Sequence, residues 1–563
     1  MYKNIFLNNE SNDSKEKVLK YFMKLDNDIK KYIVNDNPYM GGNFEKNVKK
    51  FLEGKSINTN IGDVDSLFEV MAEYFRGTTR WHHPYVMNNI KTPVNLLSLV
   101  VGYHCMLLDP NLAGDTNCGQ IAFAELEVIK YLSDLIEWNW EKSGGYFTFG
   151  GTSTLLNAVK IGINKVEEKS CLNGINDDIF IISSEQGHSA HADVCNWLGI
   201  GKKKCIRVPV DENYQFDVNK AEKIIDDMIL SGKKLATIIA CGGTTIEMLV
   251  DNIKDIYDMR NRVVKKHKLN YKPHIHVDSV VGWVWLFYKG YSFEKNKLSL
   301  SKTILHKIEK MFNLIAECKY ADSIGIDFHK TGFCPYASSL FLNRNRDELF
   351  KLNDKNVISI EKMEYGMYNP STYTLELSRS SIGPMTALTA ITYFGKDGFR
   401  IMLRDIIEGA NILMVKLNSK LDFEVINNET LGTCILFIVK PKDCYLKYND
   451  LAKSDFELVK KLAVYNYKFY LYILNKLNNQ DINFFIDYSS GYEKIKNGFH
   501  MGILKMQTFN PMLNENKAEK LIEKIIKVKK DFDNELDKEF INTIYKPKKF
   551  KFTYNNINIT EGF

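Results

Sequence analysis

Four short segments carry residue types whose chemistry is complementary. In YFTFGGTST, Tyr146 to Thr154, the pair Gly150 and Gly151 leads into Thr152 and Ser153 and then a strongly helical run. A Gly turn followed by hydroxyl residues at a helix start offers free N–H groups and a favourable dipole to a phosphate. The spacing is neither the Walker pattern nor GxGxxG, and an ordinary Gly-preceded N-cap would read the same way. In SSEQGHSAH, Ser183 to His191, His188 follows an apolar run and suits a general base, a metal ligand or an aromatic plate on a planar cofactor. In HIHVDSVVGW, His274 to Trp283, Asp278 ends an apolar run, where a buried carboxylate calls for a cationic partner. In ADSIGIDFHKTGFCPYASS, Ala321 to Ser339, Lys330 follows His329 after another apolar run. A lysine desolvated there becomes an amine nucleophile for an aldehyde, although most lysines snorkel to water.

These segments need a frame that brings them to one place. Short β-branched runs at 180–183, 205–210, 235–240, 274–278, 321–327 and 338–342 alternate with helical patterns. That alternation predicts a mostly parallel sheet covered on both faces, with ligand residues clustered where strands end. Residues 1–140 read as a helical and loop segment, with amphipathic stretches at 15–32 and 122–140. Residues 141–400 read as a large α/β domain. Residues 401–563 read as a smaller α+β domain, with helical stretches at 398–420, 456–478 and 515–536 around a strand-like ILFIVK at 435–440. The end of the chain, 541–563 with KPKKFKF, shows no helical period and reads as a tail or an edge strand.

Composition bounds the possibilities. The chain has 563 residues, 45% apolar, with 75 Lys+Arg against 69 Asp+Glu, so disorder and a small disulfide-stapled scaffold are excluded and a large core is available. The net charge of +6 is interspersed rather than gathered into a basic, aromatic-laced patch, so no nucleic-acid partner is expected. Ten cysteines form no CxxC pair and read as reduced packing thiols. The start MYKNIFLNNESND lacks a secretion-signal layout, and the apolar run 95–108 is interrupted by His104 and too short to span a bilayer. A soluble cytoplasmic protein without a membrane partner is expected.

A phosphate cradle, a flat aromatic, a carboxylate and a strand-end lysine, in this order, meet the needs of pyridoxal 5'-phosphate. GGTST, SEQGHS, HVDSVVG and DFHK resemble the corresponding motifs of the group II pyridoxal-phosphate amino-acid decarboxylases, the family of aromatic amino-acid and glutamate decarboxylases. WHHP at 81–84, CGGTT at 241–245 and LELSRSSIGP at 375–384 extend the likeness over roughly residues 80–400. The resemblance implies the aspartate-aminotransferase-like α/β fold (fold type I), pyridoxal 5'-phosphate as cofactor and a homodimer with shared active sites. It makes Lys330 the Schiff-base lysine, Asp278 the partner of the pyridinium nitrogen, and His188 the imidazole stacked on the ring that polarises the substrate. Gly151, Thr152 and Ser153 would hold the phosphate with His329 beside it, Thr244 would support the ring or Asp278, and Val280 would face the ring where many relatives carry Ala. Phe328 replaces a frequent Pro. About 50 residues separate Asp278 from Lys330, more than the family usually has, so 295–320 reads as an inserted helix.

The implied reaction is loss of CO2 from an L-amino acid followed by protonation at Cα. In relatives a loop tyrosine delivers that proton. Tyr365, Tyr368 and Tyr373 fall in the matching segment, and Tyr368 is the preferred candidate. By analogy His83, Tyr85 and His104 line the substrate pocket, and neither 82–89 nor 95–115 offers a Lys or Arg for a distal carboxylate. Aromatic substrates therefore lead, with glutamate or another acidic amino acid next. A transaminase or another pyridoxal-phosphate lyase would use the same lysine and carboxylate. A metal hydrolase built on His82, His83, His188, His191, His274 and His276, and a non-catalytic scaffold, are the remaining alternatives. No metal is assigned.

Overall fold

All six β-branched runs form strands of one seven-stranded sheet. In the computed structural model the described residues are 5, 7 and 13–536, apart from 42–44, 46, 354–356, 443, 445 and 495–499, together with two short strands, Phe552–Tyr554 and Ile557–Ile559. The sheet contains β1 (Gly144–Thr148), β2 (Ile179–Ser184), β3 (Cys205–Val208), β4 (Lys234–Cys241), β5 (His274–Asp278), β6 (Ser323–Asp327) and β7 (Ser339–Asn343). Their order is β1-β7-β6-β5-β4-β2-β3. The run from β3 to β6 is parallel, and β7 is reversed against both β6 and β1. Sequence patterning missed β1, because its Gly144–Gly145 pair reads as a breaker. The pair serves close packing instead, since a Cβ on Gly145 would lie 2.2 Å from the Phe341 carbonyl oxygen.

Alternation decides which side of each strand meets which helices. Helices α1 (Asp13–Lys30), α2 (Val48–Leu52), α3 (Val64–Glu73), α4 (Leu96–Leu108), α5 (Asp115–Cys118) and α6 (Ile121–Ile136) precede the sheet. Within it come α7 (Gly151–Val166), α8 (Ser170–Asn173), α9 (Ala190–Trp197), α10 (Val218–Leu230), α11 (Ile253–Lys266) and α12 (Lys302–Ala316). Leu155, Val159 and Ile163 of α7 pack on Ile181 and Ile239 on one face. Phe180, Ile182 and Ile238 point the other way, into a larger core shared with Val128 and Leu132 of α6. Helix α12 lies between Asp278 and Lys330, and its Ile304 and Ile308 join the same core as the buried aromatic turn Gly282–Tyr288.

Helix α13 (Ile382–Asn418) crosses from the large domain into the small one, with a break at Gly395 (φ 54°). Strands β8 (Phe423–Val425), β9 (Cys434–Val439), β10 (Asp487–Lys494) and β11 (His500–Gln507) form an antiparallel sheet in the order β10-β11-β9-β8, flanked by α14 (Phe456–Asn478) and α15 (Glu515–Glu535). The hairpin β10–β11 was not foreseen. The N-terminal segment also enters this domain: the Met87 N–H donates to the Phe485 carbonyl and the Gln507 N–H to that of Met87, both at 2.7 Å. Near the chain end, strands 552–554 and 557–559 pair with each other, while most of KPKKFKF and of the first twelve residues lies outside the described residues. All ten cysteines are free and eight are buried. Among the described residues no helix is long and apolar enough to cross a membrane.

Candidate active site

The register aligns Cys241 with Asp278 and Asp278 with Gly325, so β4, β5 and β6 end along one edge. In parallel sheets that edge is where ligands bind. Asp278 is 11% exposed at the end of β5. One of its oxygens, Oδ2, lies 2.9 Å from His191 Nε2, whereas Oδ1 is buried with no hydrogen-bond partner. Burial alone would raise the pKa of this carboxyl, but the His191 hydrogen bond, His191 itself and the charge of Lys330 outweigh it and hold Asp278 well below the usual carboxylate range.

Lys330 sits three residues beyond the end of β6, with Nζ 2.9 Å from Asp327 Oδ2. Asp327 is buried, and its other oxygen accepts from Ser339 Oγ at 2.6 Å. Burial pulls the Lys330 ammonium down, but Asp327 and then Asp278 pull harder and raise it. His329 is buried; its Nδ1 accepts the Ser338 N–H at 3.2 Å and burial lowers its pKa to about 4, so it is neutral near pH 7 with its proton on Nε2.

Helix α7 begins at Gly151 with no side-chain cap, leaving first-turn N–H groups for an anion. A Cβ on Gly151 would lie 2.9 Å from Val280 Cγ1 and 3.1 Å from Asp327 Oδ2, so these three residues meet at the helix start. The two hydroxyl residues differ. Thr152 is exposed, while the buried Ser153 hydroxyl shares a 2.6 Å hydrogen bond with Thr148. His188 is exposed on the loop after β2, with Nδ1 accepting the Ala190 N–H at 3.1 Å, which leaves its proton on Nε2. Desolvation by the surrounding walls holds its pKa below the ordinary value, helped by His191 and Lys330 and opposed by Asp278. Thr244 follows β4, and its Oγ1 accepts the Leu249 N–H at 3.0 Å.

Gly151, Val280, Lys330, His329, Asp278 and His188 thus converge on this edge, and four other expectations fall elsewhere. His83 is buried with Nε2 3.4 Å from Asp36, and Tyr85 lies in the core of the small domain. His104 sits on α4 with Nδ1 3.0 Å from the Val100 carbonyl. Tyr368 is buried and donates to Glu125 at 2.5 Å, and Glu125 also forms a bidentate pair with Arg379 at 2.7 and 3.0 Å. Burial and Glu125 push the Tyr368 pKa well above its usual value, so this tyrosine serves as a strut in the present arrangement. Sequence reasoning passed over Asp327, considered His191 only as a metal ligand, and missed Lys91, which falls between the two stretches taken for the pocket. Lys91 Nζ donates to the His329 carbonyl at 2.9 Å and lies 4.0 Å from the ring centroid of Tyr336, which in turn lies 4.3 Å from the His329 ring. Thr92 Oγ1 donates to the Lys330 carbonyl. His274 and His276 both bond Ser323 Oγ, at 2.7 and 2.8 Å. Among the described residues no group of three or more His, Cys, Asp or Glu is placed to hold a metal.

The uncapped helix start, the strand-end lysine and the unpaired Asp278 oxygen fit the phosphate, aldehyde and ring nitrogen of pyridoxal phosphate, and with this sheet they define an enzyme of fold type I. The family model described as "Pyridoxal-dependent decarboxylase conserved domain" matches residues 55–440, and the chain belongs to that family. It is 23% identical over 335 residues to L-2,4-diaminobutyrate decarboxylase of Acinetobacter baumannii, covering 56% of this chain and 59% of that one. It is 26% identical to tryptophan decarboxylase of Clostridium sporogenes, covering 60% of this chain and 70% of that one. The match therefore spans about three fifths of the Acinetobacter enzyme. Among solved structures, mouse CSAD in apo form superimposes with a TM-score of 0.73 at 16% identity over 91% of this chain and 99% of the other. Oryza sativa TDC with PLP and tryptamine does so with a TM-score of 0.73 at 14% identity over 94% and 100%.

Proposed function

We propose that this chain removes the carboxylate of an L-amino acid as CO2, with pyridoxal 5'-phosphate held on Lys330 and an aromatic side chain preferred. The observation that carries the proposal is the buried, unpaired Oδ1 of Asp278 on the strand next to the one that leads into Lys330. When bound, the cofactor supplies an aldehyde for an amine and a ring that withdraws electrons from the substrate's Cα. Asp278, ionised, would hold a proton on the ring nitrogen. The α7 start and the Thr152 hydroxyl would hold the phosphate, and His188 would offer its Nε2 proton to the bound group. For the proton returned to Cα, the buried Tyr368 is a poorer donor than Tyr336 or Tyr365, which are 61% and 63% exposed.

Relatives named for tyrosine and for tryptophan support the aromatic preference. One observation favours a second reading, an acidic substrate. Lys91 is a half-buried ammonium beside His329 whose pKa burial lowers to about 8. No carboxylate contributes to that shift, so a substrate's distal carboxylate would complement it. A cytoplasmic homodimer is proposed on two grounds: the free cysteines, and the apolar face of α4, where Leu96, Leu97, Leu99, Val100, Met106 and Leu108 are all exposed. Screening the twenty amino acids for released CO2 tests the activity. Turnover of an aromatic substrate to its amine is expected, and a keto-acid product without CO2 would replace the proposal with transamination.

A further inference from the structure

The buried side of Asp278 leads into a chain of polar groups that the reaction outlined above does not use. His191, fully buried on α9, reaches Asp278 Oδ2 with Nε2 at 2.9 Å and Ser183 Oγ with Nδ1 at 2.6 Å. Arg207 NH1 donates to the same Ser183 oxygen at 2.9 Å, and to the Ser184 and Gly187 carbonyls at 3.0 and 3.2 Å. Arg207 NH2 donates to the His188 carbonyl at 2.9 Å. The parallel register sets Arg207 beside Ser183 on neighbouring strands. Gly187 closes the assembly from above: a Cβ there would lie 2.6 Å from His191 Nδ1 and 2.9 Å from Arg207 NH1. The strap that carries His188 and the imidazole that fixes Asp278 therefore share one guanidinium.

We propose that His191 is a positioning residue of the cofactor site: braced by Ser183 and Arg207, it fixes one oxygen of Asp278 and so presents the other, Oδ1, to the ring nitrogen of pyridoxal phosphate. The inference rests on the cofactor reading given above. A carboxylate held by one strong donor loses its rotational freedom, and a preorganised acceptor costs no reorganisation when the ring nitrogen arrives. The titratable groups facing Asp278 are His191, His188, His276, Lys330 and the Cys241 thiol on the neighbouring strand. Of these, His191 is the one that hydrogen-bonds it.

The test compares wild type with His191→Phe, which removes both hydrogen bonds, and His191→Gln, which keeps an N–H able to reach Asp278. Each apoprotein is titrated with pyridoxal 5'-phosphate carrying 15N in its ring, and the ring-nitrogen NMR shift is recorded across pH. Expected are at least tenfold weaker cofactor binding in His191→Phe, a ring nitrogen that loses its proton at lower pH than in wild type, and substantial recovery of both in His191→Gln. Ser183→Ala, which leaves every catalytic group in place, should move both readouts in the same direction by less, and serves if His191→Phe fails to fold. Unchanged affinity and an unchanged nitrogen profile in His191→Phe, or in Ser183→Ala where that variant stands in, would overturn the inference. A wild-type apoprotein that binds no pyridoxal phosphate would instead overturn the cofactor reading itself.

Discussion

Lys330 and Asp327 form an ion pair of 2.9 Å at the mouth of the sheet edge, with Ser339 donating to the far oxygen of the same carboxylate. The pair raises the Lys330 pKa against the effect of burial. Capture of an aldehyde needs the neutral amine. Cofactor uptake by the apoprotein should therefore quicken as pH rises. In Asp327→Asn burial is left less opposed, and the uptake profile should move to lower pH. Stopped-flow absorbance reads the rate; coincident profiles for variant and wild type would contradict this.

Replacing Lys330 with Ala should abolish turnover while leaving a folded protein of unchanged oligomeric state. Borohydride should then fix no cofactor to the chain, where it does so in wild type. Mass spectrometry after reduction is the measurement, and retained CO2 release would refute the assignment of Lys330.

Lys91 discriminates between the two substrate readings. On the aromatic reading Lys91→Met changes kcat/KM for tyrosine or tryptophan by less than about threefold. A loss of about tenfold or more confined to glutamate or aspartate, about 1.4 kcal/mol, would establish the acidic one. The sign with pH follows from its lowered pKa. An acidic substrate would bind best below about 8, where the ammonium is charged, and weaken above it. Because the folded state gives up this proton more readily than the unfolded chain, stability from this group rises with pH between about 8 and the ordinary lysine value of 10.5.

Acid should destabilise the fold through two imidazoles. Burial lowers the pKa of His276 to about 3 and of His329 to about 4 from 6.5. As pH falls below 6.5 the unfolded chain takes up protons that the folded state refuses. Each group therefore removes up to about 1.4 kcal/mol per pH unit until its folded pKa is reached. Chemical denaturation between pH 7 and 4 gives the slope, which should shrink in His329→Asn.

Charge on the exposed face of α4 should separate subunits. Leu99→Asp combined with Val100→Asp is expected to weaken self-association at least a hundredfold with little change in monomer stability, because both side chains are exposed in the single chain. Sedimentation at several concentrations decides it, and a wild type that is monomeric throughout would remove the dimer from the account.

Most of the large sheet was legible because six of its strands are β-branched runs bounded by turns, and three of the four motifs fall where such strands stop. What escaped depended on contacts distant in sequence. Strand β1 is held by Leu340 to Leu342 of β7 across a glycine pair, and no local pattern announces that. His191 lies one helical turn from His188, yet its partner Asp278 is 87 residues away. Tyr85 was placed beside the substrate by analogy with the family, but residues 85–87 are drawn to the small sheet by backbone bonds to Phe485 and Gln507. Tyr368 was read as a loop donor because it falls in the segment where relatives carry one, whereas the buried Glu125–Arg379 pair gives its hydroxyl a fixed acceptor.

The segment from Tyr85 to Thr92, which bends at Asn89 (φ 62°), is bonded at its start to Phe485 and Gln507 beside the small sheet and at its end to the carbonyls of His329 and Lys330. The crossing chain is thus fastened by hydrogen bonds at both ends, one of them on the peptide that carries Lys330.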